Sequence, residues 1–442
     1  MRQQVAAKSL WHLASALLVL VLWLGAQAVH AETACLLDTE WSAAVERARL
    51  VFEAERSLDV SAFIVGDDPF SLTSMALLRD AARRGIAVRL LVDAQWNKLP
   101  RDIEAHLLAS GVEIRHYHPF RLNHPFWLTR RMHDKLAVAD GATLIAGGRN
   151  VESPYFGLGH QLERPNYIDA DVLVAGEIAA KASAYFDQLW NSREVRPLRR
   201  TASSPRAAKK AEKTLDQHFH WLEDRVESVS GTPEAAPPAS CREVGPVRFV
   251  HDPPGKKGRG PGVADALLHL LDDARERVII ESPYLVITKN LRDGLLRAIE
   301  RGVAVRILTN SLSSTDNIWP QAGYVGKRRW LVEQGVELWE YFGSESLHAK
   351  TAVLDRSLAV VGSFNLDPRS QRLNTELAVI IDDPNWADEL TASMDSHLAN
   401  STQIGPDGRP IGYDERYPNT SWGKRCKLRL MRLFAPFIRG QL

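Results

Sequence analysis

The stretch that decides the fold occurs twice, as His133-Asp134-Lys135-Leu136-Ala137-Val138-Ala139-Asp140 and as His348-Ala349-Lys350-Thr351-Ala352-Val353-Leu354-Asp355. Each copy reads H-x-K, four further residues, Asp. Six residues then separate each Asp from a glycine turn, Gly147-Gly148-Arg149-Asn150 in the first copy and Gly362-Ser363-Phe364-Asn365 in the second. In extended chain alternate side chains share a face, so His133 projects with Lys135 and His348 with Lys350. Beyond each Asp, Thr143-Leu144-Ile145-Ala146 and Leu358-Ala359-Val360-Val361 read as buried return strands that bring Asn150 and Asn365 back to where each hairpin began. One H-x-K on a strand is ordinary surface chemistry. Two copies with matched tails argue for a single site built from both.

The residue types suit attack on a phosphodiester: one neutral imidazole displaces an alkoxide and a second, protonated, delivers a proton to it. His133, Lys135, Asp140, His348, Lys350 and Asp355 are the candidate catalytic residues. Asn150, Ser363 and Asn365, with the two lysines, are candidate donors to the non-bridging phosphoryl oxygens. Asp169 and Glu376 each open an apolar strand after a glycine turn, and each could orient a histidine through its other ring nitrogen. The chemistry requires no metal or cofactor, and no Cys/His cluster or carboxylate ladder with ligand spacing stands near the motifs.

A second repeat fixes the architecture. Leu77 to Leu91 parallels Leu295 to Leu308, each a helix stopped by glycine (Gly85, Gly302) and followed at once by an apolar strand. Gly111-Val112-Glu113-Ile114 and Gly335-Val336-Glu337-Leu338 repeat that exit. Helix followed by strand, recurring, predicts an α/β sheet in each half.

These motifs resemble the phospholipase D superfamily, whose members carry two H-x-K-x4-D motifs. The segments Ser311 to Asn317, Ser346 to Lys350 and Gly362 to Ser370 resemble its bacterial cardiolipin synthase branch, the C-type members in particular, and the likeness covers most of residues 45–442. The resemblance implies two tandem α/β sandwich domains related by a pseudo-two-fold axis with one shared active site. It also implies transfer of a phosphatidyl group between phospholipids through a phosphohistidine. A phospholipase D hydrolase releasing phosphatidic acid needs the same residues and differs in what occupies the acceptor site. The expected substrates are phosphatidylglycerol and, as a further donor, phosphatidylethanolamine; no obligate protein partner is evident.

Composition bounds these readings. The 442 residues are 45% hydrophobic and 25% charged, ordinary for globular chains and long enough for two domains. Residues 1–31 carry Arg2 and Lys8, an apolar run, and Val29-His30-Ala31 as a small-residue cleavage pattern, which reads as an export signal to the periplasm. The alternative is an inner-membrane anchor at residues 10–28. Without residues 1–31 the chain has 53 basic and 54 acidic side chains, a net charge of −1 that argues against a nucleic-acid partner and thus against a nuclease. Both motifs are intact, which argues against a catalytically dead lipid-binding module. Cys35, Cys241 and Cys426 allow at most one disulfide and form no CxxC.

The expected domains are 32–197 and 244–400, joined by a linker at 198–243 and followed by a basic amphipathic tail at 401–442. His116 to Arg131 interleaves aromatic and basic residues and reads as a loop over the site, as a lipid-headgroup contact or as the base-stacking pattern of nucleic-acid proteins. In the tail, Trp422, Cys426, Leu430, Leu433, Phe434 and Phe437 recur at helical spacing among Lys424, Arg425, Lys427, Arg429 and Arg432. That pattern fits a helix on an anionic membrane surface or one docked on the core, with membrane contact favoured.

Overall fold

The structure, a computed structural model, describes residues 32–119, 129–230, 239–255 and 261–438. The signal or anchor segment and the middle of the aromatic-basic segment, 120–128, lie outside these residues. The first half contributes β1 (Glu32–Leu37), β2 (Ser57–Ala62), β3 (Ala87–Asp93), β4 (Glu113–Tyr117), β5 (Leu136–Ala139), β6 (Thr143–Gly147), β7 (Tyr167–Ile168), β8 (Asp171–Ala175) and β9 (Val195–Pro197). After β10 (Cys241–Val244), the second contributes β11 (Val247–His251), β12 (Arg277–Glu281), β13 (Ala304–Asn310), β14 (Glu337–Tyr341), β15 (Ser346–Leu347), β16 (Thr351–Leu354), β17 (Leu358–Gly362), β18 (Leu377–Asp382) and β19 (Ser401–Gln403).

The duplication seen in the motifs extends to the sheets. One runs β10-β1-β8-β6-β5-β2-β3-β4-β9 and the other β11-β18-β17-β16-β12-β13-β14-β19, so that, β10 aside, the two orders correspond strand for strand. In each, three consecutive strands are parallel (β2-β3-β4, β12-β13-β14) and the hairpin carrying the motif adds antiparallel to them. Helices cross between the parallel strands, as that connection requires. The predicted α/β class and internal repeat are what the chain adopts.

Gly85 and Gly302 show how sequence sets this geometry. Both have positive φ (94° and 88°). The amide after each turns back five residues, Ile86 N–H to Ala81 O and Val303 N–H to Ala298 O, both at 3.1 Å. This is a Schellman stop, and it aims the chain directly into the next strand.

The halves share a core. Val172, Val174, Phe186 and Trp190 pack in one buried cluster with Val353, Val361, Val379 and Trp386. Residues 198–243, expected as a linker, belong largely to the first half. The helix Pro205–Ser230 packs on helices Pro69–Arg83 and Arg101–Ala109, burying Ala211 and Leu215, with Asp216 bonded to Arg79 at 2.7 Å. β10 then extends the first sheet, where a disulfide joins the paired Cys35 and Cys241. The tail contributes β19 to the second sheet, and its helix Trp422–Ile438 packs along Ile318–Tyr324.

Candidate active site

Each motif begins just ahead of a strand rather than inside it: β5 starts at Leu136 and β16 at Thr351, so His133, Lys135, His348 and Lys350 occupy the extended lead-ins. Those lead-ins are held by the opposite half. His133 N–H donates to Thr375 O at 3.1 Å, and His348 N–H donates to Ile168 O at 2.6 Å. β15 pairs parallel with β7, and Met132 bridges Thr375 in the same sense. Each histidine is thereby fastened to the residue immediately before the other half's acid.

The acids complete the crossover. His133 Nδ1 lies 2.9 Å from Glu376 Oε2, and His348 Nδ1 lies 2.6 Å from Asp169 Oδ2. Neither half can orient its own histidine. Gly148 stands where a Cβ would collide with the Asp169 carboxylate. At the matching position Ser363 donates its hydroxyl to Glu376 and accepts from Leu377 N–H at 3.0 Å. Ser363 therefore positions Glu376, and it is fully buried and does not line the cleft, where a phosphate-binding role was expected.

Asp140 and Asp355 also depart from expectation. Their carboxylates accept backbone N–H bonds from Glu55, Arg56 and Ser57 (2.7–2.9 Å) and from Arg275, Glu276 and Arg277 (2.7–3.1 Å). Slight burial opposes ionisation, but the three amides outweigh it and hold both carboxyls below the usual range. Both residues sit at the hairpin turns with positive φ. They tie each hairpin to its neighbouring strand and take no part in the cleft.

Burial dominates the electrostatics of the centre. It pushes the His133 ring down to about 4, with Glu376 partly opposing, and pushes the Lys135 ammonium down to about 7. His348 and Lys350 shift the same way for the same first cause. Burial alone would raise the two acids. The adjacent histidines and lysines reverse this, leaving Glu376 at about 2 and Asp169 below its ordinary value. The ionised Glu376 facing a neutral ring places the His133 proton on Nδ1 and leaves its Nε2 as the free base, whereas His348 Nδ1 meets Lys350 Nζ at 2.5 Å as well as Asp169.

His133, His348, Asn150 and Asn365 line one cleft of about 1000 Å³. Asn150 accepts from Ile64 N–H at 3.2 Å and donates to the Tyr155 hydroxyl at 2.8 Å, whereas buried Asn365 Oδ1 has no hydrogen-bond partner among the described residues. The lysines lie beneath the histidines: Lys135 Nζ donates to His133 O at 2.6 Å, and Lys350 Nζ donates to His348 O and lies 3.8 Å from Asp169. Sequence reading missed Tyr155, whose hydroxyl lies 3.3 Å from His348 Nε2. The repeat register sets it opposite Ser370, so the symmetry that revealed the motifs conceals it. Arg131 and Arg369 line the same cleft, as do Tyr167, Tyr284 and Asp316 on another wall. Thr129 and Arg131 are the described end of the aromatic-basic segment.

Two motif-bearing halves with crossed histidine–carboxylate pairs define a phospholipase D-like fold, and the chain belongs to that family. The family profile "Cardiolipin synthase, PLD-like domain" matches residues 49–190 and again 267–398. Among curated proteins, cardiolipin synthase C of Escherichia coli (strain K12) is 32% identical over 89% of this chain and 93% of its own length. A cardiolipin synthase of Oceanobacillus iheyensis is 26% identical over 87% of this chain and 71% of its own. The crystal structure of phosphatidylserine synthase from Haemophilus influenzae Rd KW20 shares the fold, with TM-score 0.68 at 15% identity over 93% of this chain and 97% of that one.

Proposed function

We propose that this chain is a phosphatidyltransferase of the cardiolipin synthase type, with phosphatidylglycerol and phosphatidylethanolamine as donors, working through a phosphohistidine on His133. The observation that carries the reading is the crossed pairing, which sets two basic imidazoles from different halves on one cleft. The assignment to His133 rests on an asymmetry. His348 Nε2 lies 3.3 Å from both the Tyr155 hydroxyl and Lys350 Nζ, while among the described residues no hydrogen bond is made to His133 Nε2, and the aromatic ring packed against His133 is that of Phe63 at 4.8 Å.

In the first step His133 Nε2 bonds to phosphorus and the bond from phosphorus to the headgroup oxygen breaks. His348, protonated at Nε2, gives its proton to the departing alkoxide. The anionic phosphodiester raises the proton affinity that burial depresses in His348. In the second step His348 takes the proton of a second lipid's hydroxyl, which displaces His133. Asn150 and Asn365 steady the phosphoryl oxygens, and the lysines supply compensating positive charge from below.

Export to the periplasm and membrane association belong to the same proposal. Residues 1–31 and the Cys35–Cys241 disulfide, a bond suited to an oxidising compartment, support export. N-terminal sequencing of the mature protein separates cleavage from an anchor at residues 10–28. The test of function is incubation of the purified chain with labelled phosphatidylglycerol. Labelled cardiolipin with released glycerol is expected; phosphatidic acid as the main product would make the chain a hydrolase, and unreacted lipid would defeat the reading.

A further inference from the structure

The C-terminal helix Trp422–Ile438 has two unlike faces. One is fastened to the protein: Leu428 is buried in the second half's core, Met431 packs against that core, and Lys424 Nζ donates to Ser313 O at 2.9 Å and Thr315 O at 2.8 Å. The opposite face carries Trp422, Leu430, Leu433 and Phe434, which are 79%, 56%, 69% and 52% exposed, with half-buried Cys426 on the same stripe. At 100° per residue, Lys427 falls on one edge of that stripe and Arg425, Arg429 and Arg432 on the other. No acidic residue follows Glu415 in the chain. An apolar strip bordered on both sides by cations has the form of a helix lying at a lipid–water interface.

The position of this helix adds a second argument. Lys424 holds the carbonyls of the loop that carries Thr315 and Asp316, and the helix packs along Ile318–Tyr324, which carries Trp319. Lys424, Thr315, Asp316 and Trp319 all line the catalytic cleft. The helix thus starts at the cleft's rim, and whatever its outer face binds is brought beside the cleft.

We propose that this outer face docks the enzyme on an anionic phospholipid bilayer, and that the inner face, through Lys424, holds the cleft wall against that surface. The proposal rests on the phosphatidyl-transfer reading only for the use made of the docked lipid. Docking inserts Trp422, Leu430, Leu433 and Phe434 among the acyl chains, while Arg429, Arg432 and Lys427 meet lipid phosphates, Arg425 being paired with Glu415.

Cys426 gives a direct readout, because the other two cysteines are joined in the disulfide. The full chain, labelled at Cys426 with an environment-sensitive fluorophore, is mixed with phosphatidylglycerol-containing vesicles that include brominated lipid. The label reports the helix itself, whatever residues 1–31 do. A blue shift and quenching are expected. The triple variant Leu430→Ser, Leu433→Ser, Phe434→Ser should weaken vesicle titration by at least about tenfold, as loss of buried apolar side chains requires. Each of Lys427→Gln, Arg429→Gln and Arg432→Gln should cost about fivefold, and high salt should mimic them. All should turn over short-chain lipid in detergent micelles at the wild-type rate. Absence of shift and quenching overturns the proposal, as does a shift without vesicles that grows with protein concentration and a dimer's mass, which would make a second copy the occupant. Quenching without phosphatidyl transfer would uphold docking and defeat the functional reading instead.

Discussion

Replacing Glu376 with Gln should abolish the first chemical step while leaving the second histidine's chemistry in place. Glu376 accepts from His133 Nδ1 at 2.9 Å and receives the Ser363 hydroxyl. The isosteric amide keeps the volume but can turn its NH2 toward Nδ1. The ring then carries its proton on Nε2, the atom that must attack. Loss of the correct tautomer in a comparable histidine–carboxylate pair costs about 10⁴ in rate, close to 5 kcal/mol. The assay is a pre-steady-state burst with a phosphatidyl ester whose leaving group needs no protonation. Wild type should release one equivalent of leaving group rapidly. Glu376→Gln should show no burst, whereas Asp169→Asn, which disturbs His348 and the neighbouring Lys350 but not His133, should retain the burst and then stall, because the second step needs His348 as base. A burst in Glu376→Gln within tenfold of the wild-type rate would refute the orienting role, and the opposite pattern would exchange the histidines.

Acidification should destabilise the fold before it protonates most surface carboxylates. The His133 ring titrates near 4 when folded against an ordinary 6.5, so the unfolded chain binds the extra proton between those values. Stability from this group is therefore lost as pH falls from about 6.5 to 4, by up to about 3 kcal/mol, and thermal melts of wild type and His133→Asn should converge toward the acid end. Cys35→Ser should lower stability by about 3–5 kcal/mol, since the bond closes a loop spanning 206 residues, and a denaturation midpoint unchanged by the substitution would show the bond to be idle. Leu215→Ala should cost about 2–5 kcal/mol if the helix Pro205–Ser230 belongs to the core, and next to nothing if that segment is a solvated connector.

The duplication was legible because it repeats both chemistry and turn signals: H-x-K, the glycine turns, and the Gly85 and Gly302 helix stops each recur in register. Asp169 and Glu376 could be nominated from their place after the glycine turns. Their crossed assignment is a property of how two sheets meet, which no local pattern encodes. Asp140 and Asp355 were misplaced because recurrence in a motif reports a shared constraint of any kind, and here the constraint is three backbone amides needing an acceptor. Ser363 was misread for a related reason: a hydroxyl near a catalytic histidine serves equally as a donor to substrate or to a carboxylate, and only distance separates the two. Residues 198–243 looked like a connector because their proline-rich end resembles one, while the Ala211 and Leu215 contacts that dock the preceding helix involve partners far away in sequence.

The most direct test of the two-histidine account is to trap the covalent intermediate. His348→Ala, reacted with the activated, ³²P-labelled phosphatidyl ester and quenched at alkaline pH to protect a phosphoramidate, should retain label on the peptide containing His133. His133→Ala should retain none. Label on the His348 peptide of His133→Ala, or turnover by the double variant His133→Ala, His348→Ala, would contradict the account.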